Sequence, residues 1–161
     1  MFDWIALIVF IVICYAASAV GAIFTTKNLD VWYDSLRKPS WTPPGGLIGT
    51  IWFILYTLMA IAAAIVWSSG DFEQISIPII LFAIQLALNV IWSLLFFAKQ
   101  DLKGAFVEVV IFWMFILATM IAFFTVNVLA GILFIPYLTW VSIASYLNYT
   151  VWRMNPAAPK G

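Results

Sequence analysis

From Trp4 to Thr26 the chain carries no charged residue, and four more stretches of comparable length are almost as free of charge. A helix needs about 20 apolar residues to cross a bilayer, where lipid offers backbone N–H and C=O groups no partner outside the helix itself. The stretches therefore read as crossing helices at about Ile5 to Phe24, Leu47 to Trp67, Ile75 to Ala98, Ala105 to Val126 and Leu129 to Arg153. The expected fold is an all-α integral membrane protein, a bundle of five transmembrane helices forming one domain over residues 1–161. Charged residues make up only 9% of the chain, against about a quarter in soluble domains, so a water-facing surface is excluded. Asn127 and Val128 alone separate the last two helices, which predicts a tight antiparallel hairpin. Ala17-Ser18-Ala19 has the small residues of a signal-peptidase site but no basic segment before it, so the first helix is expected to be retained.

The seven Lys and Arg balance the seven Asp and Glu, yet their placement is asymmetric. Lys27, Arg37, Lys38, Lys99, Lys103, Arg153 and Lys160 all fall on one side of a five-helix topology. The positive-inside rule then puts the N-terminus outside and the C-terminus in the cytoplasm. No nucleic-acid partner is expected. The chain has no histidine and a single cysteine, Cys14, which excludes histidine-based triads, axial-histidine haem ligation, zinc cages and an internal disulfide. No metal site is expected, and Cys14 reads as a small core residue. Phosphate-cradling glycine loops and nucleophile elbows are missing as well.

The connection between the first two helices, about residues 27 to 46, is long for so compact a chain and carries Pro39, Pro43 and Pro44 among aromatic residues. It is the candidate lid. Trp4, Trp67 and Trp152 sit at helix ends and fit an interfacial belt, whereas Trp52, Trp92, Trp113 and Trp140 lie about 8 to 20 Å deep at ~1.5 Å per residue. Four indoles from four helices at one depth predict an aromatic cavity open towards the basic face. Gln85, Asn89, Trp92 and Phe96 share one face of the third helix, as Tyr137, Trp140, Ala144 and Asn148 do on the fifth and Trp52 and Tyr56 on the second. Polar stripes in hydrocarbon turn inwards to find partners. Ala83 and Ala87 lie on the opposite face of the third helix and form a candidate dimer seam. Cys14, Ala17, Ser18, Gly21 and Ala22 make the first helix a close-packing element. Glu108, the only charge within a span, lies about one turn in and is expected to snorkel or pair.

Loop 1 reads Trp32-Tyr33-Asp34-Ser35-Leu36-Arg37-Lys38-Pro39-Ser40-Trp41-Thr42-Pro43-Pro44, a pattern WYxxLxKPxWxPP that resembles the signature of the TspO/MBR family. These are the tryptophan-rich sensory proteins, related to the mitochondrial translocator protein. Leu88-Asn89 with Trp92-Ser93 and Phe96-Phe97 agree, as do Pro136-Tyr137, Trp140, Ala144, Leu147-Asn148 and Asn155. The resemblance implies a five-helix bundle, often a homodimer, in a bacterial cell membrane, with a cavity capped by loop 1 and opening towards the cytoplasm. Family members bind porphyrins such as protoporphyrin IX and haem, isoquinoline carboxamide drugs and, in animals, cholesterol. Carried over by position, the implied ligand contacts are Trp52, Asn89, Trp92, Trp140 and Ala144, with Tyr33, Trp41 and Pro44 from the lid; the stripe on the fifth helix adds Asn148. Leu147, Tyr149 and Arg153 satisfy the loose sterol pattern, which many membrane helices match by chance.

The first expectation is therefore a tetrapyrrole-binding membrane protein of translocator or sensor type. A porphyrin would stack on indoles with its propionates towards Lys27, Arg37, Lys38 and Arg153, and haem would be held by its ring because no histidine can reach the iron. No cofactor is required; porphyrin or haem is the ligand. The second expectation is light-dependent oxidative degradation of protoporphyrin IX with Trp52 and Trp140 as the redox-active indoles. A third is transport of small molecules or sterol, which inverted repeats or an intramembrane carboxylate pair would favour; neither is evident.

Overall fold

The computed structural model describes residues 1–156; Lys160, counted above among the basic residues, lies outside them. The helices are α1 (Trp4–Asn28), α2 (Gly45–Ser69), α3 (Phe72–Ser93), α4 (Leu102–Val126) and α5 (Val128–Met154). All five are long and apolar enough to cross a membrane, and the protein is an integral membrane protein. Four of them start where short polar side chains satisfy the first free N–H groups, and α2 starts directly after Pro44. Asp3 accepts from Ile5 and Ala6, Asp101 from Gly104, and Asn127 from Leu129 and Ala130, while Asp71 and Gln74 form a capping box. Gly104 has to be small, because a Cβ there would collide with the Asp101 carboxylate.

Around the bundle the order is α1, α2, α5, α4, α3, with α3 closing on α1. Lipid tails are as apolar as the side chains, so close packing rather than water exclusion holds such helices together. Gly21 shows how: it is buried, and a Cβ there would stand 3.3 Å from Ser93 Oγ, so glycine lets α1 and α3 approach. Cys14 is fully buried, as its small size suggested. The end where α1 and α3 finish carries Lys27, Arg37, Lys38, Lys99, Lys103 and Arg153 and is called the basic end below.

The lid is shorter than the expected 27 to 46. Helix α1 runs on through a π-helical turn, Leu29–Tyr33, and one further helical step at Asp34 and Ser35, so the irregular stretch covers only residues 36–44. A second π-helical turn, Leu94–Ala98, ends the α3 rod. In each of the wider turns two consecutive large rings lie inside. Trp32 and Tyr33 are buried against Phe96 and Phe97, with Trp32–Phe96 centroids 5.7 Å and Tyr33–Phe97 centroids 5.8 Å apart.

The apolar interior divides in two. A large cluster fills the middle and far parts of the bundle and includes Val109, Phe112 and Tyr137. A smaller one lies at the basic end and includes Trp32, Tyr33, Leu36, Phe96, Leu102 and Ala105. Trp92 packs against both.

Candidate functional site at the junction of the two cores

The junction holds the polar residues that the stripes on α3 and α5 turn inwards. Asn89 accepts from the Tyr56 hydroxyl at 2.9 Å and donates to the Tyr137 hydroxyl at 2.9 Å; Tyr137 in turn donates to Gln85 at 2.8 Å. Tyr137 and Gln85 are fully buried. Nearer the basic end the Trp92 indole donates to Asn148 at 3.0 Å, and Asn148 donates to the Leu102 carbonyl at 3.0 Å. Each such bond within a membrane protein contributes only about 0.6 kcal/mol on average. The network therefore fixes which way the helices face more than it holds them together. It also holds one indole, Trp92, in a set orientation.

Trp52 stands at 5.7 Å from Tyr56 and 6.3 Å from Tyr137, centroid to centroid, so α2 brings its half-buried indole to the same set. Trp140 lies one turn along α5 from Tyr137 and is half-buried, as Ala144 is a further turn on. Among the described residues the buried side-chain polar atoms without a partner are the Trp140 indole nitrogen, the Trp32 indole nitrogen and both Glu108 carboxyl oxygens. The site is aromatic, with a satisfied polar rib and a few unsatisfied groups beside it.

Three residues stand elsewhere than the sequence suggested. Trp113 does not join the interior indoles; it donates to Ser142 at 2.8 Å and lines an outer groove of about 530 Å³ with Phe106, Ser145, Tyr146 and Tyr149. The reason is angular, since Phe112 takes the inward position on α4 and the next residue is turned by about 100°. Glu108 neither snorkels nor pairs. It is 8% exposed on the inner face of α4, on the stripe of Ala105 and Phe112, because its position on the helix turns it to the interior rather than to the interface. Tyr33, expected on the lid, belongs to the turn that extends α1 and packs on the end of α3.

Of the other lid residues, Trp41 stacks on Tyr146 of α5, with ring centroids 5.6 Å apart and planes 11° from parallel. Pro44 is exposed and immediately precedes α2, where its fixed φ of −61° directs the chain into the helix. Loop 1 is clasped to the end of α5 by a reciprocal pair: Asn155 accepts from the Arg37 N–H at 2.9 Å and donates to the Arg37 carbonyl at 2.8 Å. Lys38 donates to the Tyr33 and Leu36 carbonyls, which closes the loop on itself. Only the family pattern singles out Asn155; nothing local marks an asparagine at a helix end as a clasp.

Ala83 and Ala87 are exposed on the outside of α3, beside a groove between α1 and α3 that Phe10, Ala17 and Leu86 also line. Tyr149 and Arg153 are exposed and Leu147 is half-buried, so the sterol pattern keeps its tyrosine and arginine on the outer surface.

The sequence model of the TspO/MBR family matches residues 10–153. The chain is 43% identical to the tryptophan-rich protein TspO of Chlorobaculum tepidum, over 89% of this chain and 92% of that one. It is 41% identical to the protein CrtK of Rhodobacter capsulatus, over 92% and 91%. It is also similar to the translocator protein of Homo sapiens, at 37% identity over 84% and 82% of the two chains.

Proposed function

The chain belongs to the TspO/MBR family, a membrane protein of sensor or translocator type, and from that premise we propose that its ligand is a tetrapyrrole held at the junction of the two cores. The observation that carries this reading is the gathering of Trp52, Trp92 and Trp140, each half-buried, from three helices around the buried Asn89–Tyr137 pair. Indole faces suit a large flat ring, and stacked aromatic pairs contribute about 0.5–1.5 kcal/mol each beyond the area they bury. Ala144, small and on the same face as Trp140, leaves the space that a larger residue would fill. Loop 1 lies over the basic end, and Arg37 and Lys38 on it, with Lys27 and Arg153 nearby in the fold, offer positive charge to propionates.

In this reading haem is held by its ring, isoquinoline carboxamides compete for the same indoles, and the basic end faces the cytoplasm. Two copies meet through the exposed Ala83 and Ala87 on α3, where small side chains let backbones approach.

The test is an absorbance titration of the purified protein with protoporphyrin IX. A binder gives a Soret shift that saturates at one pigment per chain. A shift that grows linearly and matches empty detergent contradicts the reading. Illumination separates the alternative: a catalyst of oxidative breakdown yields a distinct product with repeated turnover, whereas a binder bleaches its pigment no faster than detergent does.

A further inference from the structure

Among the described residues Glu108 is the one carboxyl that lies inside the bundle, and its surroundings give it nothing to bond to. Among the described residues every cation is at the surface: Lys27, Arg37, Lys99, Lys103 and Arg153 are exposed, and Lys38, only partly buried, donates to the Tyr33 and Leu36 carbonyls at the basic end. An ionised carboxylate taken out of water costs several kcal/mol unless it is paired, so a cation brought to Glu108 would supply a partner that the protein itself does not. Carboxyls inside membrane bundles otherwise mark ion and ligand paths.

The position of Glu108 says which path. On α4 it lies between Ala105, which belongs to the core at the basic end, and Val109 and Phe112, which belong to the main core. Phe112, one turn away, meets the Tyr137 ring at 6.2 Å, so Glu108 is at the junction where Tyr137 and Trp92 are. Trp140 presents a second unsatisfied group, a donor, one turn from Tyr137 on the facing helix. An acceptor and a donor are thus both left without a partner, buried on the facing helices α4 and α5.

We propose that the site takes a flat aromatic molecule bearing a cationic, N–H-carrying nitrogen, and that Glu108 accepts from that nitrogen while the Trp140 N–H serves an acceptor on the same ring system. The proposal rests on the reading of the junction as a ligand cavity, and it adds a determinant that stacking and loop cations do not supply: the polar end that enters first is positive, and anionic groups stay at the basic end.

The experiment uses the full chain in detergent with two probes of the same shape, 9-aminoacridine, which is cationic and carries N–H donors, and anthracene, which has neither. Quenching of tryptophan emission is measured against empty detergent, with protoporphyrin IX as a third probe. Wild type is expected to bind 9-aminoacridine at least about tenfold more tightly than anthracene, the scale of one hydrogen bond to a charged group. Glu108→Ala should erase that preference, and Glu108→Gln, nearly isosteric and safe for folding, should keep only a small part of it. Both variants should bind anthracene and protoporphyrin IX within about threefold of wild type, as stacking surfaces are unchanged. A preference that persists in Glu108→Gln, equal losses for both small probes, or no preference in wild type overturns the proposal. If protoporphyrin IX fails to bind while the amine preference follows Glu108, the tetrapyrrole reading falls and this inference stands.

Discussion

Two tryptophans one helix apart show how much depends on a single step of rotation. Trp113 bonds to Ser142 on the outside of the α4 and α5 pair, and Trp140 keeps its indole nitrogen buried and unpartnered. Depth along the helix was legible in the sequence for both; direction was not, because apolar residues surround α4 on every side and lipid-facing positions look like core ones. On α3 and α5 the polar residues broke that ambiguity, and Gln85, Asn89, Tyr137 and Asn148 all lie inside. Glu108 misled for the converse reason: one turn from a helix end it could have reached water, and only tertiary packing turns it in. If Trp52 and Trp140 touch the ligand ring and Trp113 does not, changing either of the first two to Phe should weaken protoporphyrin binding by roughly 0.5–2 kcal/mol, for lost stacking area and an indole N–H. Trp113→Phe should leave the affinity unchanged. Titration of the three variants by tryptophan quenching checks this, and equal effects at all three positions would place the ring elsewhere.

Among the elements, the five helices were readable because their apolar stretches are long; the caps Asp3, Asp71, Asp101 and Asn127 set where four of them begin. Loop 1 was not, because a π-helical turn of Leu29–Tyr33 is indistinguishable in sequence from the start of a loop. Its three prolines remove backbone freedom, and the Asn155 clasp fixes where it lies. Asn155→Ala deletes both bonds of that clasp, so cleavage by trypsin at Arg37 and Lys38 should speed up severalfold, and protoporphyrin IX should slow it in the wild type. Unchanged rates in both comparisons would show that the loop does not close over a ligand. On the other side of α3, Ala83→Leu combined with Ala87→Leu puts bulk on an exposed face. Light scattering of the solubilised protein should then move from dimer towards monomer with pigment binding retained; a wild type that is already monomeric would remove the seam.

At the scale of the whole molecule, the one-sided placement of cations predicts an orientation. In a Cys14→Ala background, Glu73→Cys should be labelled from outside and Lys99→Cys from the cytoplasm, since both positions are exposed. Inverted labelling would contradict that orientation. The bundle as a whole joins a well-packed core to a smaller one beneath a clasped loop, with indoles, a polar rib and an unpaired carboxyl where they meet. The central claim is that a flat pigment occupies this junction, and Ala144→Phe tests it most directly by filling the space from α5 without removing any polar partner. In a Soret titration, wild type should saturate at one protoporphyrin IX per chain, and Ala144→Phe should lose saturable binding while its helical circular dichroism stays at the wild-type level. Saturable binding of undiminished affinity in a folded Ala144→Phe protein would contradict the account.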